Sequence, residues 1–156
     1  MRPYDLFVHA ERLLQFDPTE ADIRRAASAS YYALFHVLTS VSAQTLGAGK
    51  QDFTDSLRRR FDHSAMREAC DAIRRPDSVL APSPALASVA VTFIDLQTLR
   101  HRADYDLVTP VLIDEARDAL QSSHEIAIIW ALIADTEEGR VFSVLLLMGR
   151  LRTRRG

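Results

Sequence analysis

The chain has 156 residues, a size at which one domain buries a hydrophobic core without disulfides or metal ions. Its 47% hydrophobic and 26% charged residues are typical of a folded, soluble protein and exclude an intrinsically disordered one. The net charge of −2 gives no general attraction to nucleic acid, so such binding needs a local basic surface. Cys70 is the single cysteine, which excludes an internal disulfide framework and predicts a cytoplasmic protein.

Residues that typically begin or end helices occur along the whole sequence. The predicted helices cover residues 3–15, about 18–45, 52–60 and 64–75, then begin at Pro84 and Pro110, with a last apolar helix from about residue 138. The segment Asp17-Pro18-Thr19-Glu20 supplies an N-cap, a first-turn proline and a capping-box acid. Ser83-Pro84 and Thr109-Pro110 repeat the pattern of an N-cap before proline. Each of these three segments therefore predicts the start of a helix.

The predicted fold class is all-α, because no alternating apolar run or hairpin turn indicates a strand. We expect one domain over residues 1–156, an up-down bundle of four to five main helices with short helices inserted. Its core covers about residues 3–135, and an apolar C-terminal helix with a basic tail covers about 138–156. The most apolar run, residues 141–148, falls short of the roughly 20 residues that a bilayer requires, so no membrane is expected. The tail carries Arg150, Arg152, Arg154 and Arg155, which we interpret as a solvated end.

The first polar segment that stands out, residues 24–36, lies on the second predicted helix. Arginine, serine, tyrosine and phenylalanine side chains follow one another there at intervals of three and four residues, so neighbours touch. Tyr31 and Tyr32 are adjacent in sequence and cannot share one face, and His36 stands one turn beyond Tyr32. Plain packing is the alternative interpretation, because aromatic stripes of helical bundles usually lie in the core.

The second segment, residues 99–106, ends the helix that begins at Pro84. Arg100 and Asp104 are four residues apart, as are Arg102 and Asp106, so each pair predicts an intrahelical ion pair. Exposed pairs contribute only about 0.3–0.5 kcal/mol, so stability hardly accounts for so dense a cluster. A solvated, charged helix end remains the alternative.

Together the two segments resemble the HEPN superfamily, small helical bundles named for higher eukaryotes and prokaryotes nucleotide-binding. The first segment contributes Arg24, Ser28, Tyr31, Tyr32, Ala33, Phe35 and His36, and the second contributes Leu99, Arg100, Ala103, Asp104 and Tyr105. The sequence is most similar to the bacterial and archaeal branch that carries an Ala-Asp-Tyr signature. The resemblance extends over about residues 6–131, and the two segments provide nearly all of its specificity.

The resemblance implies a homodimer in which both protomers line one cleft. Many HEPN proteins are metal-independent endoribonucleases, often toxins encoded beside a nucleotidyltransferase antitoxin. Their signature is an arginine followed after four to six residues by a histidine. Arg100 matches that arginine, but Tyr105 stands where the histidine is expected. An ordinary tyrosine, with a pKa of about 10, is a poor general base near neutral pH.

These considerations select the candidate residues. The catalytic candidates are Arg100, Asp104 and Tyr105, and the binding candidates are Arg102, Arg24, Tyr32 and His36. Arginines suit phosphate groups, which they bind through paired N–H donors. We expect His101 to turn away from the face of Arg100 and Asp104. Neither a metal site nor a cofactor is predicted, because no histidine–acid spacing and no phosphate-binding glycine loop occurs.

Three functions remain open from the sequence. The first is a ribonuclease of the toxin type that acts on RNA through a dimer cleft. The second is a non-catalytic module that binds RNA, a nucleotide or a partner nucleotidyltransferase, and the missing histidine favours it. The third is a structural bundle that forms an oligomer through its apolar C-terminal helix.

Overall fold

The computed structural model describes residues 1–149 and is helical throughout, without a strand in that range, which confirms the predicted all-α class. Its helices are α1 (Pro3–Leu13), α2 (Glu20–Leu46), α3 (Gln51–Arg58), α4 (His63–Ile73), α5 (Pro84–Tyr105), α6 (Ile113–Ile133) and α7 (Glu137–Met148). The arginine-rich tail predicted beyond α7 lies outside the described residues. None of the helices in residues 1–149 is both long and apolar enough to cross a membrane.

The start of α2 differs from the prediction by two residues. Thr19, not Asp17, caps the helix: its hydroxyl accepts a hydrogen bond from the Asp22 N–H (3.2 Å). The Asp22 carboxylate accepts one from the Thr19 N–H in return (3.0 Å), so the capping-box acid is Asp22 instead of Glu20. Asp17 itself lies in the left-handed region, with φ at 59°, and precedes the helix.

The α5 start is confirmed, and the α6 start is not. Ser83 caps α5 by accepting a hydrogen bond from the Leu86 N–H (3.2 Å). By contrast, Thr109-Pro110 does not begin α6, because the Asp106 carboxylate holds the Val108 and Thr109 N–H groups (3.0 and 3.1 Å) in a turn. The helix begins at Ile113 instead.

The chain forms two compact units. The first comprises Met1–Val37 and Thr92–Ile128, and the second comprises Leu38–Val91 and Ile129 onward. The helices α2, α5 and α6 each contribute residues to both units. The prediction of a single domain stays a prediction.

Small side chains build much of the core of the first unit. One cluster contains Ala10, Leu14, Ala26, Ala27, Ala29, Ala103, Val111 and Ala116. Alanines allow α2 and the end of α5 to approach closely, and close packing of this kind resists changes in volume. Two of the candidate residues, Arg102 and Asp104, flank Ala103.

The second unit packs around Trp130 of α6 and Phe142 of α7, whose ring centroids are 5.8 Å apart. Thr136 caps α7 by accepting from the Gly139 N–H (3.1 Å). A Cβ at Gly139 would overlap the carbonyl oxygens of Ile133 and Ala134, so only glycine fits at this approach.

Candidate functional site

The candidate residues that the structure brings together lie where α5 of the first unit ends beside α2. Arg100 is central, and its side chain is only 13% exposed. Its guanidinium carbon lies 5.2 Å from the ring centroid of Tyr31 and 5.5 Å from that of Tyr32. Both distances fall within the range of cation–π attraction, so the two tyrosines fix the position of the cation.

The charge of Arg100 is only loosely paired. Asp104 lies one turn away, with 3.7 Å between Arg100 Nη1 and Asp104 Oδ2, which confirms the first predicted ion pair. That distance exceeds the length of a hydrogen bond. The Ser28 hydroxyl donates to the same carboxylate (3.3 Å), and Arg100 Nε is buried without an acceptor among residues 1–149. Within the described residues the guanidinium therefore keeps one donor, Nε, without an acceptor.

Tyr31 is fully buried, and Gln97 Nε2 donates a hydrogen bond to its hydroxyl (3.3 Å). Burial raises the pKa of Tyr31 to about 12, although the hydrogen bond from Gln97 and the charge of Arg100 oppose the rise. Tyr31 is thus neutral at physiological pH and serves as packing under Arg100, whereas Tyr32 is half-buried and reaches the surface.

Deprotonation of Tyr31 should weaken the fold at alkaline pH. A phenol whose pKa is higher in the folded state than in the unfolded state stabilises the fold fully below pH 10. We expect the free energy of unfolding to fall by about 2–3 kcal/mol between pH 10 and pH 12, from urea denaturation at each pH. The variant Tyr31→Phe should lack this decline, and an equal decline in that variant would contradict the assignment.

His101 and Tyr105 form a second strip next to Arg100 and Asp104 on α5. Their ring centroids are 4.9 Å apart, as expected for residues separated by one helical turn. Tyr105 is 67% exposed and His101 is exposed as well. His101 lies against Tyr105, and it was not among the predicted candidates. The spacing of four residues was the signal that could have identified it.

Arg102 has a different partner from the predicted one. Its guanidinium donates to Glu115 at the start of α6, and no ion pair joins it to Asp106 within the described part of the chain. The hydrogen bond from Arg102, followed by that from the Leu112 N–H (2.9 Å), lowers the pKa of the Glu115 carboxyl. The prediction of an Arg102–Asp106 pair is therefore wrong, because the Asp106 carboxylate is already occupied by backbone N–H groups.

Arg24 is engaged by the protein itself. Its terminal nitrogens donate to four backbone carbonyls, those of Arg102 (3.2 Å), Ala103 (3.1 Å), Asp106 (2.7 Å) and Thr109 (2.7 Å). Glu20 accepts from its Nε and Nη2 (3.1 and 3.0 Å), and the side chain is 11% exposed. The last carbonyls of a helix lack partners inside the helix. Arg24 thus caps the end of α5 and fixes the following turn, which makes it a structural residue.

His36 lies one turn beyond Tyr32 on α2 and is half-buried, with its ring 5.4 Å from that of Phe35. The contacts described above join Ser28, Tyr32, Arg100 and Asp104 into one site. His101 and Tyr105 form the neighbouring pair on α5. Of the predicted site residues, Arg24 and Arg102 are committed to contacts elsewhere in the first unit.

The arrangement suits binding of an anion and of a flat ring more than metal or thiol chemistry. Within residues 1–149, no group of three or more histidine, cysteine or acidic side chains could hold a metal ion. Cys70 is buried, and burial raises the pKa of its thiol strongly, so it is not an activated nucleophile.

Comparison of the chain with protein-family models, with curated proteins and with solved structures gave no match.

Proposed function

We propose that this chain is a HEPN-like helical protein that binds single-stranded RNA at the surface formed by Arg100, Asp104, His101 and Tyr105. Two features at the end of α5 carry the proposal: Arg100, which is held against the rings of Tyr31 and Tyr32, and the exposed ring of Tyr105. Proteins that bind single strands combine positive charge with aromatic side chains on which bases stack. Arg100 supplies the charge, and Tyr105 with His101 supplies the stacking surface.

Asp104 sets the electrostatics of this surface. Its carboxylate repels a phosphate and competes with it for Arg100, at 3.7 Å from Nη1. An approaching phosphate would gain the hydrogen bonds that Asp104 does not make at this distance. We therefore expect the site to bind a phosphate group weakly by itself and to favour ligands that also stack on Tyr105.

A stacking role for Tyr105 predicts a measurable loss of affinity. Tyr105→Ala should weaken binding of a fluorescently labelled oligouridylate by about 1–3 kcal/mol, roughly 5- to 150-fold in Kd by anisotropy. Tyr4→Ala is the matched control, because Tyr4 is 64% exposed, close to the 67% of Tyr105, and lies on α1. Equal affinities of the two variants would contradict the proposal.

The proposed protein is a cytoplasmic homodimer, and a nucleotidyltransferase antitoxin is the proposed partner. The resemblance supports both, and the turn after α5 supports the dimer, since Leu107 and Val108 are 80% and 92% exposed. Exposed apolar side chains that are close together often mark protein contacts. Sizing with light scattering should give a dimer for the wild-type protein and a monomer for a Leu107→Asp, Val108→Asp variant.

Metal-independent RNA cleavage is the second candidate function, and the contact between His101 and Tyr105 favours it. Histidine titrates near neutral pH and serves as a general acid or base, which tyrosine alone does poorly. In this mechanism the ribose 2′-oxygen attacks the adjacent phosphorus and the 5′-oxygen leaves. His101 takes the proton of the 2′-hydroxyl or gives one to the leaving oxygen, and Arg100 stabilises the charge that develops on the phosphate.

Two substitutions separate cleavage from binding alone. If the protein cleaves, His101→Ala should abolish an activity that EDTA leaves intact. Asp104→Asn should tighten RNA binding in either case, because it removes a negative charge, but it should abolish cleavage only if Asp104 acts as the base. If the wild-type protein binds RNA but leaves it intact, the cleavage function is excluded and the binding function is supported.

A further inference from the structure

The second unit contains an arginine-rich segment that the candidate site does not include. Between residues 58 and 75 there are six arginines, Arg58, Arg59, Arg60, Arg67, Arg74 and Arg75, against three acidic residues, Asp62, Glu68 and Asp71. Arg58, Arg59 and Arg60 follow one another at the end of α3, and all three are exposed. We call these three residues the α3 arginine patch.

The arginines of the patch differ from those of the first unit in their pairing. Five of the seven arginines of the first unit form ion pairs, namely Arg2, Arg24, Arg100, Arg102 and Arg117. In the part of the chain that the structure describes, the α3 arginine patch forms none. The neighbouring carboxylates have other donors: Asp55 accepts from Gln51 Nε2 (2.9 Å), and Asp62 accepts from the Ala65 N–H (2.8 Å).

Helix stability does not explain three adjacent arginines. One cation at a helix C-terminus gains about 0.3–1 kcal/mol from the macrodipole. Arg58 in the last turn or Arg59 at the C-cap is enough for that effect. Further like charges repel one another, so the patch costs stability unless an anion neutralises it.

We propose that the α3 arginine patch is a second contact for RNA and binds its phosphate backbone without reading the bases. The identity of the ligand rests on the proposed function, whereas the patch itself rests on exposure and on the absence of ion pairs. Guanidinium groups pair with phosphate through parallel N–H donors. A lipid surface fits the patch less well, because α3 carries Asp52 and Asp55 and exposes one large apolar side chain, Phe53.

The dependence of RNA affinity on salt tests the patch. Each phosphate contact with a single strand contributes about −0.7 to the slope of log K against log salt. The triple variant Arg58→Gln, Arg59→Gln, Arg60→Gln should reduce the magnitude of that slope by about 2 with an oligouridylate. Between about 50 and 200 mM salt, its affinity should therefore fall roughly 20-fold less than that of the wild type. The triple Arg→Lys variant, which keeps the charges, should keep the slope.

A charge-matched control uses Arg2→Gln, Arg12→Gln and Arg117→Gln, three exposed arginines of the first unit. This control should retain the wild-type slope, and equal slopes in the two triple variants would overturn the patch. A loss with Tyr105→Ala but not with the patch variant overturns the patch alone. A loss with the patch variant but not with Tyr105→Ala supports the patch and overturns the proposed function. If the patch variant loses binding to phosphatidylserine vesicles and keeps its RNA affinity, the patch is a lipid contact and the RNA assignment is overturned.

Discussion

Arg24→Ala should lower the free energy of unfolding by about 2–4 kcal/mol, seen as a lower urea midpoint. The substitution removes the donors of four backbone carbonyls at the end of α5 and in the following turn. The Arg102 carbonyl also accepts from the Asp106 N–H (3.0 Å), so the loss falls on the carbonyls of Ala103, Asp106 and Thr109. Arg24→Lys should recover only part of the loss, because one ammonium lacks the planar fork that reaches several acceptors.

Arg25 provides the control for this prediction. It is the next residue on the same helix and carries the same charge, but within residues 1–149 it donates to no backbone carbonyl, whereas Arg24 donates to four. Arg25→Ala should change the unfolding free energy by no more than about 0.5 kcal/mol. If Arg24→Ala and Arg25→Ala were equally mild, the backbone contacts of Arg24 would not hold the turn, and its structural assignment would be wrong.

Arg100→Ala should remove most of the RNA affinity, by roughly 10- to 150-fold, because hydrogen bonds to charged groups contribute about 1.5–3 kcal/mol. It should also lower stability by about 1–2 kcal/mol, since the cation contacts the rings of Tyr31 and Tyr32. Anisotropy with the labelled oligouridylate and urea denaturation measure the two effects separately.

Arg100→Lys separates charge from geometry. It keeps the cation but loses the planar group that contacts two rings and offers paired donors. Intermediate RNA affinity would support the proposed role of the guanidinium, and wild-type affinity would indicate that only the charge matters. RNA affinity unchanged in Arg100→Ala would exclude Arg100 from the binding surface.

The helices could be predicted because their signals are local. The Ser83 cap and the proline after it act within one turn, and the structure has α5 begin there. The start of α6 was mispredicted because two side chains compete with Thr109 for the backbone. Asp106 holds the turn before it, and Glu115 accepts the Leu112 N–H. Composition and spacing do not rank such alternatives.

The roles of the arginines were harder to predict, because they depend on partners far away in sequence. Arg24 is 78 to 85 residues from the carbonyls that it holds, so its type and spacing indicated an anion site instead of a helix cap. The spacing of four residues predicted Asp106 as the partner of Arg102. In the structure its partner is Glu115, 13 residues away at the start of α6. The pair of Arg100 and Asp104 was predictable, because both residues lie on one turn of one helix.

The most direct test of the central claim is ultraviolet cross-linking of a uridine-rich RNA to the wild-type protein, with the modified residue identified by mass spectrometry. Stacking on the exposed ring of Tyr105 predicts adducts at Tyr105 or at His101 beside it. Adducts confined to other exposed aromatic residues, such as Tyr4 or Phe16, would contradict RNA binding at the end of α5.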